Sequence, residues 1–369
     1  MKPRREQSGY LLKNRCSNTK RCDLKEHDAC PDGTPATVSS QEIAAVWRAA
    51  QPLVRGRDYV QASRGDCNTV LLVNGDERSV IKSPLPLGYI DTRALLTYEA
   101  GVVDLLNQKL TGITDTLPVA VPSLIHHSCG RPSWTAFSWV PGEVLSLQEV
   151  QQRFSPDDFR ALGEAVGEFA VRLARALDLG SFRRDIERPY GICAVDHELW
   201  LAAAVNGKVD RLHKQGYINL ATVLGQLGRE YQDLRRTGQL RPTIIGHNDL
   251  HLGNFTFVER RDGAMRLAGF IDFAFAKPST PAREFRFLEQ LHPETLQAAM
   301  TTWRELTGER VSIDLVRFWE RVQYVTTCIT RIEWGCPVGR GAVHMQRCYP
   351  QYNWRKELVE PMNPPQSSC

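Results

Sequence analysis

The chain of 369 residues contains no long apolar run. None of its runs approaches the roughly 20 residues that a membrane-spanning helix needs. Residues 1–21 are basic but lack the apolar stretch that a secretory signal carries. We therefore expect neither a membrane partner nor secretion.

A strong charge bias and a disulfide framework are missing as well. The formal net charge is only +4, and the basic residues are scattered rather than aligned on one face, so we expect no nucleic-acid partner. The ten cysteines follow no disulfide spacing, which favours a reducing, cytoplasmic location. With 42% hydrophobic residues, the composition is that of a globular protein with a sizeable core.

Residues 1–38 are basic, poor in large apolar side chains and rich in cysteine, which predicts a flexible tail. Four soft metal ligands lie in it: Cys16, Cys22, His27 and Cys30. Their spacing differs from the paired CxxC of common zinc sites, so the flexible tail is favoured and zinc binding is the alternative.

The remaining chain divides into two regions of different pattern. Residues 39–141 open with the capping-box sequence Ser39-Ser-Gln-Glu42 of a helix and continue with strand-like runs and a second helix from Thr92. After a break at Pro141-Gly142, residues 142–369 are mostly helical in pattern, apart from strand-like pieces between 244 and 275. We therefore predict an α+β protein with a small β-rich N-lobe (39–141) and a larger, mostly helical C-lobe (142–369).

The stretch GHNDLHLGNF, residues 246–255, concentrates short polar side chains between two apolar runs. His247 and His251 have the i, i+4 spacing of zinc-binding histidines on a helix. The glycines and asparagines of the same stretch disfavour a helix, and no further ligand is near in sequence. The zinc interpretation is therefore not favoured.

Five polar residues instead form an ordered set along the chain. Lys82 lies inside a strand-like run, where a lone cation is costly, and Glu99 on the following helix is its candidate partner. Asp249 and Asn254 lie in the polar stretch, and Asp272 is embedded in the apolar run GFIDFAFA. Their oxygens suit Mg²⁺, which proteins usually hold together with substrate phosphates. The order and spacing match the two-lobed phosphotransferase template.

On these residues the chain resembles the aminoglycoside phosphotransferase and choline kinase group of small-molecule kinases, relatives of the protein kinases. The loop of that group commonly reads HGDLHPGN, and here it reads HNDLHLGN from His247 to Asn254. The resemblance covers roughly residues 55–290 and implies a two-lobed, protein-kinase-like fold.

The resemblance implies a role for each matching residue. Asp249 accepts or orients the proton of the substrate hydroxyl, while Asn254 and Asp272 hold Mg²⁺ against the nucleotide phosphates. Lys82, positioned by Glu99, contacts the α- and β-phosphates.

The resemblance also implies a nucleotide site. Gly65 and Asn68 belong to the turn that covers the phosphates, with backbone N–H groups near the anion. The segment that matches the hinge receives the adenine through backbone groups and contains Phe137, Trp139 and Val140.

The loop departs from the family pattern at several positions. Asn248 replaces the usual glycine and Leu252 the usual proline. Glu284 stands where the family often has an aspartate that braces the loop, and we expect it to substitute. His247 is expected to orient the loop backbone, and His251 either faces the γ-phosphate or makes a structural hydrogen bond.

These features favour a Mg²⁺-dependent phosphotransferase that moves the γ-phosphate of ATP, or alternatively of GTP, to a hydroxyl of a small molecule such as an aminoglycoside or another antibiotic. The alternatives are a catalytically silent kinase-like binding or regulatory module, or a kinase of an amino alcohol, a sugar or a protein. Residues 178–241 are expected to shape the acceptor site, while the acceptor and the oligomeric state are left open.

Large aromatic side chains of the last third are expected mainly in the core: Trp303, Trp319, Tyr324, Trp334 and Trp354.

Overall fold

The computed structural model describes residues 40–54, 59–64, 68–74, 78–85, 91–110, 119–191, 207–260, 263–333 and 339–358. The predicted tail over residues 1–38, with its four soft ligands, lies outside the described residues, and so does Gly65. The flexible tail, its zinc alternative and the role of Gly65 therefore stay predictions.

A five-stranded antiparallel sheet dominates the N-terminal part, with the strand order β1-β2-β3-β5-β4. The strands are β1 Tyr59–Arg64, β2 Asn68–Val73, β3 Ser79–Pro84, β4 Leu124–Ser128 and β5 Trp134–Ser138. Helix α1, Ser40–Val54, covers one face, where Val46 and Ala50 join Leu71 and Ile81 in a buried cluster. Because side chains alternate along a strand, Lys82 next to Ile81 points to the opposite face.

Helix α2, Thr92–Leu110, lies on that opposite face and links the sheet to the rest of the protein. Glu99 on α2 is only 1% exposed. One residue earlier, the Tyr98 hydroxyl donates a hydrogen bond to the backbone oxygen of Ala276 at 2.6 Å. On another side, Gly101 lies so close to the Tyr190 ring that an added Cβ would be 2.6 Å from it. Helix α2 is therefore held against both parts of the fold.

Most of the remaining described chain is helical. The longer helices are α4 Pro156–Ala176, α8 Ile218–Arg236, α11 Pro293–Thr307 and α12 Ile313–Glu333. The shorter ones are α3 Leu147–Arg153, α5 Leu179–Phe182, α6 Arg188–Tyr190, α7 (residues 207–214), α9 Pro281–Glu284, α10 Leu288–Leu291, α13 Gly339–Cys348 and α14 Trp354–Leu358. A π-helical turn, Arg183–Glu187, joins α5 to α6.

Two short strand pairs interrupt this helical part and carry the polar stretch. Strand β6, Ile244–Gly246, pairs with β9, Lys277–Ser279, and β7, Phe255–Glu259, pairs with β8, Met265–Phe270. The polar loop therefore runs from the end of β6 to the start of β7, and its last three residues form a 3₁₀ turn, Leu252–Asn254.

The crossing from the sheet to the helical part is fixed by backbone pairing. Glu143 exchanges two backbone hydrogen bonds with Phe257, at 2.9 and 2.8 Å. Gly142, directly before it, has a φ of 102° and lies so close to Phe257 that an added Cβ would be 2.5 Å from its backbone oxygen. At the predicted break Pro141-Gly142, only glycine fits at position 142.

Large aromatic side chains fill the core of the helical part. Trp303, Trp319, Trp354 and Tyr324 are all buried, with 6% exposure or less, which confirms that they serve packing. Trp334 lies outside the described residues.

The arrangement confirms the predicted α+β fold with a small antiparallel sheet in the N-lobe and a helical C-lobe. The boundary between residues 141 and 142 stays a prediction. In the part of the chain that the structure describes, no helix is both long and apolar enough to cross a membrane.

Helices α4 and α11 pack closely against each other, which generates a prediction about stability. A Cβ on Gly163 would be 2.2 Å from the backbone oxygen of Thr295, so we expect Gly163→Ala to lower the free energy of unfolding by about 1–3 kcal/mol. Gly225→Ala on α8 is the matched control, because an added Cβ there would be 3.8 Å from Arg229 Nη1, which is ordinary van der Waals contact. There we expect no loss, and a gain of up to about 1 kcal/mol from helix propensity. Urea unfolding of both variants measures the difference, and similar values would contradict the close packing.

Candidate active site

A buried ion pair joins the sheet to α2. Lys82 Nζ lies 2.7 Å from Glu99 Oε1, and the predicted pairing is therefore present. The same ammonium lies 3.4 Å from Asp272 Oδ1, on the segment that follows β8. Burial opposes the charged form, but Asp272 and Glu99 outweigh it and raise the pKa of Lys82 above its usual value. The structure thus brings the predicted residues Lys82, Glu99 and Asp272 together, with both carboxylates next to the Lys82 ammonium.

Asp272 has a left-handed backbone conformation, with a φ of 65°. This conformation is uncommon outside glycine, but aspartate and asparagine adopt it more readily than most residues. The neighbouring Ile271 N–H donates to the backbone oxygen of Asn254 at 3.0 Å, which holds the two segments side by side. The Asp272 side chain is 35% exposed, so part of its carboxylate is accessible.

Asn248 has the second left-handed backbone conformation outside glycine among the described residues, with a φ of 60°. This explains why the family commonly has glycine here and why asparagine can replace it. Its side-chain amide donates to the backbone oxygens of Gly246 and Lys277, at 2.9 and 3.1 Å. Its side-chain oxygen accepts from the Ser279 hydroxyl at 2.7 Å. The replacement therefore adds three side-chain bonds to the loop.

The Glu284 carboxylate stabilises the start of the polar loop. It accepts the backbone N–H of His247 at 2.7 Å and that of Asn248 at 2.8 Å. The side chain is fully buried, and this burial raises the pKa of Glu284 although both N–H groups and nearby arginines oppose the rise. The prediction that Glu284 braces the loop is confirmed by these two hydrogen bonds.

His247 is buried beneath the loop. Its Nε2 lies 3.0 Å from the backbone oxygen of Ile271, and its ring lies 4.5 Å from the Phe273 ring. Burial lowers the pKa of His247 to about 4, so the imidazole is neutral near pH 7. A neutral, enclosed ring bonded to backbone fits the predicted orienting role better than that of a base.

Asp249 lies at the centre of the loop. The Asn254 amide donates to its backbone oxygen and to its Oδ2, both at 2.9 Å. His251 Nε2 lies 3.4 Å from the same Oδ2. Burial favours the neutral acid, but the hydrogen bond to His251 and the charges of His251 and Arg286 outweigh it, so the pKa of Asp249 lies below its usual value. The group is therefore a carboxylate near pH 7.

Each ring nitrogen of His251 has a neighbour within the loop. Nδ1 accepts the N–H of Gly253 at 3.0 Å, and Nε2 faces Asp249. Burial opposes protonation, but the Asp249 carboxylate raises the pKa of His251 above its usual value. The structural hydrogen bond is thus present, while contact with a γ-phosphate stays a prediction.

The donor atoms at the predicted metal position fit Mg²⁺. Both amide hydrogens of Asn254 point to Asp249, so its hard amide oxygen points elsewhere and is free to act as a ligand. The accessible carboxylate of Asp272 is a hard ligand of the same kind. Among the described residues no cluster of three or more histidine, cysteine, aspartate or glutamate side chains is placed to hold a metal.

The predicted nucleotide residues lie along the sheet. Asn68 begins β2 and pairs with Pro84 of β3. In the predicted hinge, Phe137 is buried with Lys82 Nζ 5.7 Å from the centre of its ring, and Val140 packs against Gly269. The Trp139 N–H donates to the backbone oxygen of Arg78 at 3.1 Å. Their contacts with a nucleotide stay predictions.

Sequence reasoning missed Arg286, which lies beside the loop. Its guanidinium donates to the backbone oxygen of Asn248 and is only 4% exposed. The signal available in the sequence was weak, since Arg286 follows the bracing Glu284 by two residues but belongs to no motif that was recognised.

A family comparison agrees with this geometry. The sequence model of the phosphotransferase enzyme family, APH, matches residues 59–322. That range spans most of the chain, and the protein therefore belongs to this family. No curated protein sequence matched the chain at a significant level.

Solved structures show the same fold. The GDP and kanamycin complex of APH(2'')-IIIa is 15% identical, with a TM-score of 0.60 over 85% of this chain and 100% of that chain. The streptomycin and ATP ternary complex of APH(2'')-IIa is 13% identical, with a TM-score of 0.55 over 88% of this chain and 100% of that one. The macrolide 2'-phosphotransferase type I is 17% identical, with a TM-score of 0.53 over 85% and 97%.

The Glu284 brace generates a second prediction about stability. We expect Glu284→Ala to lower the free energy of unfolding by about 2–6 kcal/mol, because each of the two buried N–H groups left without an acceptor costs about 1–3 kcal/mol. Glu289→Ala is the control, since this carboxylate is 22% exposed and pairs with Arg317, an arrangement worth less than about 1 kcal/mol. Chemical unfolding measures both. An equally small loss in the two variants would contradict the brace.

Proposed function

We propose that the protein transfers the γ-phosphate of ATP or GTP to a hydroxyl of a small molecule, with Mg²⁺ as cofactor. The observation that carries this proposal is the contact of the Lys82 ammonium with the carboxylates of Glu99 and Asp272. A backbone hydrogen bond from Ile271 to Asn254 places the loop with Asp249 beside Asp272. Phosphoryl transfer depends mainly on positioning and on neutralising charge, and this arrangement offers both.

Asp249 is the proposed proton acceptor. Its depressed pKa keeps it ionised, so it can accept or orient the proton of an approaching hydroxyl. Asn254 fixes the carboxylate by donating to Oδ2, which restricts the directions from which the hydroxyl can approach. His247 supports the loop and takes no part in proton transfer.

Lys82 is the proposed phosphate contact, and Glu99 holds its ammonium in place. Asn254 and Asp272 are the proposed ligands of Mg²⁺, which when bound neutralises charge on the transferred phosphoryl group. Gly65, Asn68 and the backbone of the Phe137–Val140 segment complete the proposed nucleotide site.

Both substrates of the proposed reaction have support from the related structures. Those structures carry GDP or ATP together with kanamycin or streptomycin, or are named as a macrolide phosphotransferase. These names describe the relatives, and they support a nucleotide donor and a small hydroxylated acceptor here. The presence of every proposed polar group argues against the catalytically silent alternative.

Ion pairing in the helical part supports an acceptor with few positive charges. A polycation would need carboxylates that are not already neutralised. On α8, α10 and α12, three carboxylates are paired with arginines: Glu230 with Arg321, Glu289 with Arg317, and Glu320 with Arg347. We therefore favour a weakly charged hydroxylated compound over a polycationic aminoglycoside.

The proton acceptor is tested by Asp249→Asn. We expect the variant to lower kcat by roughly 10²–10⁴-fold, because the amide cannot accept the proton, while nucleotide binding is retained. The assay is γ-phosphate transfer to a panel of macrolides, aminoglycosides, amino alcohols and sugars. Asp233→Asn is the control, since this exposed carboxylate on α8 pairs only with Arg236. Retained transfer in Asp249→Asn would contradict the assigned role.

The metal position is tested by Asp272→Asn, which preserves a residue type that tolerates the left-handed backbone. We expect Mg-ATP at 100 times its Kd to stabilise the wild type by about 2.7 kcal/mol, and the variant far less. Thermal unfolding with Mg-ATP, and with ATP plus a chelator, measures this difference. If Mg-ATP did not stabilise the wild type, the silent-module alternative would be favoured instead.

A further inference from the structure

Arg286 is a buried arginine directly beside the polar loop. Its Nη2 donates to the backbone oxygen of Asn248, and its Nη1 donates to that of Arg283 at 2.8 Å. Nε and Nη2 also lie 3.4 and 3.3 Å from Gln323 Oε1 on α12, and the guanidinium lies 4.2 Å from the centre of the Phe287 ring. Since a buried charge is costly, such a complete set of partners indicates a specific task.

That task concerns the backbone around Asn248. Glu284 accepts the N–H of this residue, and Arg286 donates to its carbonyl oxygen. Both groups come from the same short segment after β9, so one segment holds Asn248 at its two backbone polar groups. The left-handed φ of 60° makes such support necessary, because a non-glycine residue holds this conformation only when its surroundings fix it.

The direction of the Asn248 carbonyl also sets the direction of the next residue, Asp249. The carbonyl belongs to the peptide plane shared by Asn248 and Asp249, and a planar peptide cannot turn one side without the other. A hydrogen bond to that oxygen therefore fixes the plane from which the Asp249 side chain departs.

We propose that Arg286 is a positioning residue for Asp249, acting through the carbonyl of Asn248. This inference rests on the proposed function, in which Asp249 receives the hydroxyl proton. The planar guanidinium is suited to the task because it reaches the Asn248 oxygen, the Arg283 oxygen and Gln323 at once. A lysine ammonium has three N–H donors on one nitrogen atom, so it cannot reproduce contacts that Arg286 makes from three nitrogen atoms in one plane.

The test measures Arg286→Gln and Arg286→Lys. The control is Arg172→Gln, which removes an arginine that pairs with Glu168 on α4. We expect both Arg286 variants to lower kcat by about 10- to 100-fold, because a displacement of about 1 Å at the reacting groups has that effect. The KM for nucleotide should change less than about threefold, since Arg286 is not among the proposed nucleotide contacts. Full rescue of kcat by lysine would overturn the proposal, because charge without the planar geometry would then suffice.

A second measurement does not depend on phosphate transfer. Amide hydrogen exchange in the segment 246–251 should become roughly tenfold faster in Arg286→Gln, while exchange in α4 stays as in the wild type. Unchanged exchange in the loop, or faster exchange throughout the protein, would overturn the proposal. If the wild type transferred no phosphate to any acceptor, the proposed function would fail, and the exchange result would still decide whether Arg286 orders the loop.

Discussion

The buried ammonium of Lys82 is the interaction on which the site depends. This positive charge contacts both a carboxylate on α2 and a carboxylate after β8. Because the Tyr98 hydroxyl on α2 also donates a hydrogen bond to Ala276, α2 is linked to the segment between β8 and β9 by charge and by a neutral hydrogen bond. Removing one partner of such a buried group leaves the others uncompensated, so the three charges form one unit.

Backbone strain is concentrated at the same place. Outside glycine, the described residues contain two with left-handed backbone conformations. Asn248 directly precedes the proposed proton acceptor Asp249, and Asp272 is itself a proposed ligand of Mg²⁺. Each is supported by its surroundings: Asn248 by Glu284 and its own side-chain bonds, Asp272 by the adjoining Ile271–Asn254 bond. Strain of this kind is kept only where the surrounding structure fixes it, and it clusters at functional sites.

The fold and the central residues could be predicted because their signals are local or periodic. The cost of a lone cation inside a strand-like run identified Glu99 on the following helix as the partner of Lys82. The role of Glu284 was suggested by the family resemblance, because the family often has a bracing aspartate at this position. The φ of Asn248 could not be predicted from the residue itself, because asparagine occurs in both left-handed and right-handed conformations. Arg286 gave only a weak signal, since its partner Asn248 is 38 residues away in sequence.

The replacement of glycine by Asn248 and the presence of Arg286 have a common physical explanation. A glycine reaches a left-handed φ without strain but is otherwise flexible, whereas asparagine is less free and needs acceptors and donors around it. Here those groups are the backbone oxygens of Gly246 and Lys277, the Ser279 hydroxyl, the Glu284 carboxylate and the Arg286 guanidinium. The buried Glu284 and Arg286 carry opposite charges on one segment, so each offsets part of the desolvation cost of the other. At a position where the family commonly has a flexible glycine, this loop therefore has a constrained residue inside a polar network, which leaves Asp249 fewer orientations.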